Sequence, residues 1–159
     1  MQTQRGEIAF KLFPDEAPKT VENFVSLVKK GFYDVPSMKF HRVVPGFVVQ
    51  TGDPTGTGYG GSGSPIQLEA KNTLSHDKIG IVAMARGPAP NSATSQFYIT
   101  LKPQIKLDGK YAIFGKVIKG LNVLDLIQQD DRVYGIQFVD EAQIQPDQPV
   151  KKKSRLHMF

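Results

Sequence analysis

The sequence predicts a mainly β domain whose short strands close into an antiparallel barrel or pack as a sandwich. Three observations predict it. Fifteen glycines and 11 prolines among 159 residues exceed their usual combined share of about 12 per cent, which marks a turn-rich chain. Apolar residues alternate in short runs set apart by turn signals. Only two stretches carry the 3.6-residue period of a helix.

The elements follow in order. Residues 7–13 (EIAFKLF) place Ile8, Phe10 and Leu12 on one face of a half-buried strand that Pro14 ends. Arg5-Gly6 reads as a turn, which makes residues 1–4 a short partner strand. In residues 18–30, Val21, Phe24, Val25 and Val28 form one helical stripe, with Pro18 at the first helical position and Gly31 just past the end. Residues 38–50 (MKFHRVVPGFVVQ) give two strands around Pro45-Gly46. Residues 52–63 hold six glycines and exclude a regular element. Further strands are predicted over 79–85, 96–101 and 111–118, the last preceded by the turn Leu107–Lys110. Leu121, Leu124 and Ile127 suggest a second short helix after Gly120, and 133–145 return to strand.

Hydrophobic residues make up 40% and charged residues 22%, enough to bury one core in one domain. The absence of cysteine excludes disulfide frameworks, zinc fingers, iron–sulfur clusters and thiol catalysis. Of the net charge of +5, Lys151, Lys152, Lys153 and Arg155 carry four, so residues 1–150 are nearly neutral. A nucleic-acid-coated surface is therefore not expected. The expected division is one folded domain over 1–147 and a basic, flexible tail over 148–159. MQTQRGEIAF lacks the apolar run of a signal peptide, and no stretch approaches about 18 apolar residues. The expectation is a cytoplasmic protein without a membrane anchor.

Gly56-Thr57-Gly58-Tyr59-Gly60-Gly61 fits a dinucleotide-loop pattern, but Ser64-Pro65-Ile66 follows where that site needs a helix N-terminus. The loop reads instead as backbone that approaches something closely. His41, His76 and His157 have no metal-like spacing, and no Gly-x-Ser-x-Gly elbow is present. His41 reads first as a structural histidine. With period 2, Arg42 shares a face with Phe40 and Val44, where a guanidinium is costly unless hydrogen-bonded. With Gln50 and Gln96 it would line a shallow groove with aromatic walls, suited to a peptide.

Longer runs carry a more specific signal. Phe40-His41-Arg42-Val43-Val44-Pro45-Gly46-Phe47-Val48-Val49-Gln50-Thr51-Gly52-Asp53 resembles the signature segment of the cyclophilins. The likeness continues through Gly58–Gly61, Met84-Ala85-Arg86, Asn91–Ile99 and Leu107–Gly115, and spans roughly residues 5–145. It implies a closed eight-stranded antiparallel barrel capped by two α-helices and peptidyl-prolyl cis–trans isomerase activity with no metal or cofactor. Arg42 would be the catalytic arginine, assisted by Gln50. Phe47, Val48, Tyr98 and Leu107 would form a proline pocket with Tyr111 at its rim. Gly58, Ala85, Arg86 and Gln96 would line the peptide groove, with His41 in support. The implied partners are proline-containing peptides and flexible protein segments, bound by a monomer.

Departures from the usual pattern bear on affinity. Lys106 stands where an indole is common, Tyr111 where a histidine is, Val48 where a methionine is, Tyr98 where a phenylalanine is, and Arg86 where an asparagine is. Losing the indole removes apolar area and a hydrogen-bond donor, so weak binding of cyclosporin is expected. Two other functions compete with the isomerase: a proline-peptide binding module, and a nucleic-acid-associated protein using the basic tail.

Overall fold

Backbone hydrogen bonding sorts nine short strands into two antiparallel sheets in the computed structural model, which describes residues 1–70 and 73–147. In chain order the elements are β1 (Gln2–Thr3), β2 (Gly6–Glu7), β3 (Ala9–Leu12), α1 (Pro18–Lys29), β4 (Arg42–Val44), β5 (Val48–Thr51), β6 (Ile81–Met84), β7 (Phe97–Thr100), β8 (Ile113–Lys119), α2 (Leu121–Leu124) and β9 (Val133–Gly135). One sheet runs β3-β8-β6-β7-β5-β4 and the other β2-β1-β9. The basic tail expected over 148–159 lies outside the described residues.

The chain is mainly β with two helices, as expected, but the closed eight-stranded barrel is corrected. Its ladders form sheets of six and three strands, and none joins the two among the described residues. The strand predicted over 133–145 supplies only Val133–Gly135. Beyond it, the Ile136 N–H donates to Asp34 Oδ1 at 3.0 Å, and Asp140 accepts from Ala142 N to start a 3₁₀ turn over Glu141–Gln143. Both contacts draw backbone away from a ladder. Residues 7–13 likewise divide between β2 and β3, with Gln2 and Thr3 paired to Glu7 and Gly6.

The α1 stripe buries Val21, Phe24, Leu27 and Val28. The Phe24 ring lies 5.2–5.8 Å from those of Phe114, Tyr33, Phe97 and Phe10, within the range of favourable aromatic pairs. Val49, Ile99 and Val82, paired across three strands, join this core from one sheet face. The opposite face carries a smaller cluster of Val48, Ile81, Ala83, Tyr98 and Ile113.

Ala17, at the capping position before α1, has no side chain that can cap it. Glu69 substitutes from a distant loop: Oε1 accepts from Thr20 N (2.6 Å) and Oγ1 (2.7 Å), and Oε2 accepts from Lys19 N (3.2 Å). A carboxylate there satisfies free amides and meets the positive end of the helix dipole. Glu69→Ala should therefore cost about 1 kcal/mol, the usual worth of a cap. In a thermal melt that is a fall of about 2–4 °C; an unchanged midpoint would mean that water caps the helix equally well.

Candidate functional site

The polar side chains of the second sheet face fall into one cross-strand row. Arg42 pairs with Gln50, Gln50 with Tyr98, and Tyr98 with Ala83. Directly opposed residues share a face, so an exposed guanidinium, a half-buried amide and a buried phenol stand side by side.

One expectation about this row is corrected. Arg42 does not share a face with Phe40, which is fully buried in the main core. The His41 N–H turns back to Lys39 O at 3.0 Å, and β4 begins only at Arg42. The turn resets the alternation and places Arg42 in solvent.

Two adjoining cavities open along the row. The smaller, about 170 Å³, is lined by Arg42, Phe47, Val48, Gln50, Ala85, Arg86, Tyr98, Leu107 and Tyr111. The larger, about 470 Å³, shares Gln50, Ala85 and Arg86 and continues past Gln96, Ser92, Thr94 and the backbone of Gly58–Gly61 and Gly63. The first has aromatic and aliphatic walls, the second polar ones. His41, expected in support, and Lys106, at the usual indole position, do not line either cavity. His41 packs behind Gly58, where a side-chain methyl would meet its Cδ2 at 3.3 Å. Lys106 holds its Nζ 5.0 Å from the centre of the Phe47 ring. Burial pulls the His41 imidazole below its usual pKa, and Arg42 and Lys39 add to this against Asp53 and Gln96.

A directed chain of amides joins the cavities. Arg42 Nη1 donates to Gln50 Oε1 (3.4 Å), and Gln50 Nε2 donates to Gln96 Oε1 (3.0 Å). Gln96 Nε2 then donates to Gly58 O (3.0 Å) and Gly60 O (2.7 Å). Carbonyls only accept and a guanidinium only donates, so the two ends fix how both amides are turned.

The glycine loop is held from behind by Asp53, which is fully buried. Its carboxylate accepts from Thr55 N and Oγ1, Thr57 Oγ1, Gly58 N and Gly60 N. Burial alone would raise its pKa. The bonds from the Thr55 hydroxyl and the Thr55, Gly60 and Gly58 amides outweigh that and hold it at about 2. Gly60 must lack a Cβ, because one would overlap Asp53 Oδ1 and Thr55. The close approach read from the sequence is thus made to a carboxylate.

A brace under the smaller cavity has no signal in the sequence, because its members are far apart. His76, fully buried, lies with Nδ1 2.7 Å from Asp108 Oδ1 and Nε2 2.7 Å from the Tyr98 hydroxyl. Asp108 also accepts from His76 N and Ser75 Oγ. Burial would raise the Asp108 pKa, but these bonds keep it below the usual range. An ionised carboxylate accepts only, so Nδ1 donates to it; in the neutral ring Nε2 then accepts the Tyr98 proton. Burial pushes the Tyr98 phenol well above its usual pKa.

Comparison with known proteins points one way. A family model described as cyclophilin type peptidyl-prolyl cis-trans isomerase/CLD matches residues 1–153. The peptidyl-prolyl cis-trans isomerase ppi1 of Schizosaccharomyces pombe is 47% identical over 136 residues, covering 82% of this chain and 86% of its own. An Arabidopsis thaliana peptidyl-prolyl cis-trans isomerase is 43% identical over 127 residues, 78% of this chain and 76% of its own. Among solved structures, a Cryptosporidium parvum cyclophilin type peptidyl-prolyl cis-trans isomerase crystallised in the presence of the dipeptide Ala-Pro superposes with a TM-score of 0.76. It shares 35% identity over 85% of this chain and 90% of the other.

Proposed function

The chain belongs to the cyclophilin-type peptidyl-prolyl cis–trans isomerases, and we propose that it turns X–Pro bonds on the Arg42–Gln50–Tyr98 row. Proline-containing peptides are its substrates, and its reaction assists protein folding. The observation that carries the site assignment is the register that sets Arg42 and Gln50 against the mouth of the apolar cavity.

The chemistry needs little else. An X–Pro bond rotates over a barrier of about 18–20 kcal/mol, which takes tens to hundreds of seconds unaided. Halfway round, amide resonance is lost and the proline nitrogen gains a lone pair. Arg42 spends one N–H on Gln50 and keeps the others of its five for that lone pair. The planar amide offers no such acceptor, so the contact is stronger in the transition state than in the ground state, which is what accelerates a reaction. Phe47, Val48, Tyr98, Leu107 and Tyr111 hold the proline ring while Gln50 and the loop backbone hold the rotating chain. Ala85 and Arg86 floor the junction of the two cavities. His41 supports Gly58 from behind. The step uses no nucleophile, proton relay or metal, and no cofactor is called for.

In this reading the enzyme acts as a monomer. No helix among the described residues is long and apolar enough to cross a membrane. In this reading residues 1–147 form the isomerase domain, and nucleic acid is not a partner.

The direct test follows a chromogenic X–Pro peptide at low temperature. Acceleration of its cis-to-trans step supports the assignment; none from a folded sample would favour a proline-peptide binding module. Cyclosporin provides a second readout. Lys106 supplies an ammonium where an indole would add apolar area and an N–H donor, so the drug should inhibit weakly. Lys106→Trp should lower the inhibitory concentration by about tenfold or more, the equivalent of 1.4 kcal/mol. Strong inhibition of the unaltered chain would overturn the role given to Lys106.

A further inference from the structure

The walls of the proline pocket carry positive charge without a neutralising partner. Lys106 Nζ lies 5.0 Å from the centre of the Phe47 ring, and the Arg42 guanidinium carbon 5.9 Å from the same ring. On the other side, the Arg86 guanidinium carbon lies 5.0 Å from the centre of the Tyr111 ring. Arg86 is fixed there by neutral acceptors: Nε donates to Lys110 O at 2.8 Å, and Nη1 to Gly87 O at 2.9 Å. None of the three cations makes a salt bridge among the described residues.

Acidic groups are turned away from this rim. No Asp or Glu lines either cavity. Asp108, next to Leu107, spends its carboxylate on Ser75 and His76. Asp53, beneath the glycine wall, is occupied by Thr55, Thr57, Gly58 and Gly60. The charged side-chain ends that a bound peptide meets at the rim are therefore all cationic, while the Asp53 and Asp108 carboxylates are held by the bonds just named.

We propose that this enzyme selects proline peptides with an acidic side chain within two residues of the proline. The proposal rests on the isomerase reading and names the substrate class of that same groove. With the ring between Phe47 and Tyr111, a carboxylate on one flank reaches Lys106 and Arg42, and one on the other flank reaches Arg86. A lysine in either place meets like charge.

The test uses three matched peptides with Glu, Gln or Lys on both flanks of a single proline, with exchange followed by NMR. At low salt kcat/KM should fall in the order Glu, Gln, Lys. Glu should exceed Lys by about fivefold or more, as expected of two partly exposed ion pairs. At 0.5 M salt, where the screening length is only a few ångströms, the ratio should fall below about twofold. Lys106→Glu combined with Arg86→Glu should reverse the order, with circular dichroism confirming the fold. Equal rates at low salt, or a preference that ignores salt, would overturn the charge selection while leaving the isomerase in place. Failure to accelerate any of the three would instead remove the isomerase reading, and this proposal with it.

Discussion

Arg42→Ala should lower kcat/KM by about 100- to 1,000-fold, the usual loss when one preorganised hydrogen-bond donor to a transition state is removed. The fold should survive, because Arg42 is exposed and its one side-chain bond, to Gln50, is long at 3.4 Å. Exposed substitutions of this kind stay within about 0.5 kcal/mol, so the melting midpoint should move by no more than about 2 °C. Arg42→Lys separates charge from geometry. An ammonium keeps the charge but loses the planar fork that serves Gln50 and substrate together, so only a small part of the activity should return. A peptide-isomerisation assay beside a thermal melt decides the matter. Full activity in Arg42→Ala would assign the transition-state contact to another residue.

Asp53→Ala should destabilise the domain by about 3 kcal/mol, because it strips the acceptor from buried amides and hydroxyls of Thr55, Thr57, Gly58 and Gly60 at once. The loss should depend on pH in a set direction. The carboxyl titrates at about 2 in the folded chain against 3.8 for an unperturbed aspartate. A depressed folded pKa contributes stability that is complete above about pH 4 and drains away as the pH falls toward 2. Urea midpoints of the parent and the variant should therefore stand well apart at pH 7 and converge below pH 4. A constant gap would mean that the carboxylate's charge adds nothing. The variant should also raise KM more than it lowers kcat, since it loosens the peptide-binding wall and leaves Arg42 in place.

Local signals carried much of the architecture. The stripe Val21, Phe24, Val28 and the Pro18 start define α1 because helix periodicity and a proline at the first turn are properties of adjacent residues. The Pro45-Gly46 turn between β4 and β5 was legible for the same reason. What local signals missed depends on partners far along the chain. Ile136 leaves the sheet because Asp34, 102 positions away, takes its N–H. Asp108 and His76, 32 apart, meet only once the fold is made. Arg42, Phe47, Val48 and Gln50 of the cavity walls fall in the long run from Phe40 to Asp53, whereas alternation alone misplaced Arg42 beside Phe40. The residues Tyr59, Gly61, Gly63, Gly87, Ser92 and Thr94 line the larger cavity mostly through backbone or short side chains, and such positions carry little chemistry in their letters.

The directed run of amides has a consequence for selection by subtraction. Gln96 gives both its hydrogens to Gly58 O and Gly60 O and its oxygen to Gln50. Gln50 turns its own oxygen to Arg42, and a guanidinium has no lone pair to offer. This stretch of the wall thus keeps unused hydrogens on Gln50 and Arg42, while each amide oxygen along it already accepts one bond. A ligand carbonyl pressed against it meets a free donor, whereas a ligand N–H has to share an oxygen that already accepts one bond. In the proposed isomerase, proline, which brings a carbonyl without an N–H, would escape that competition before any ring enters the pocket.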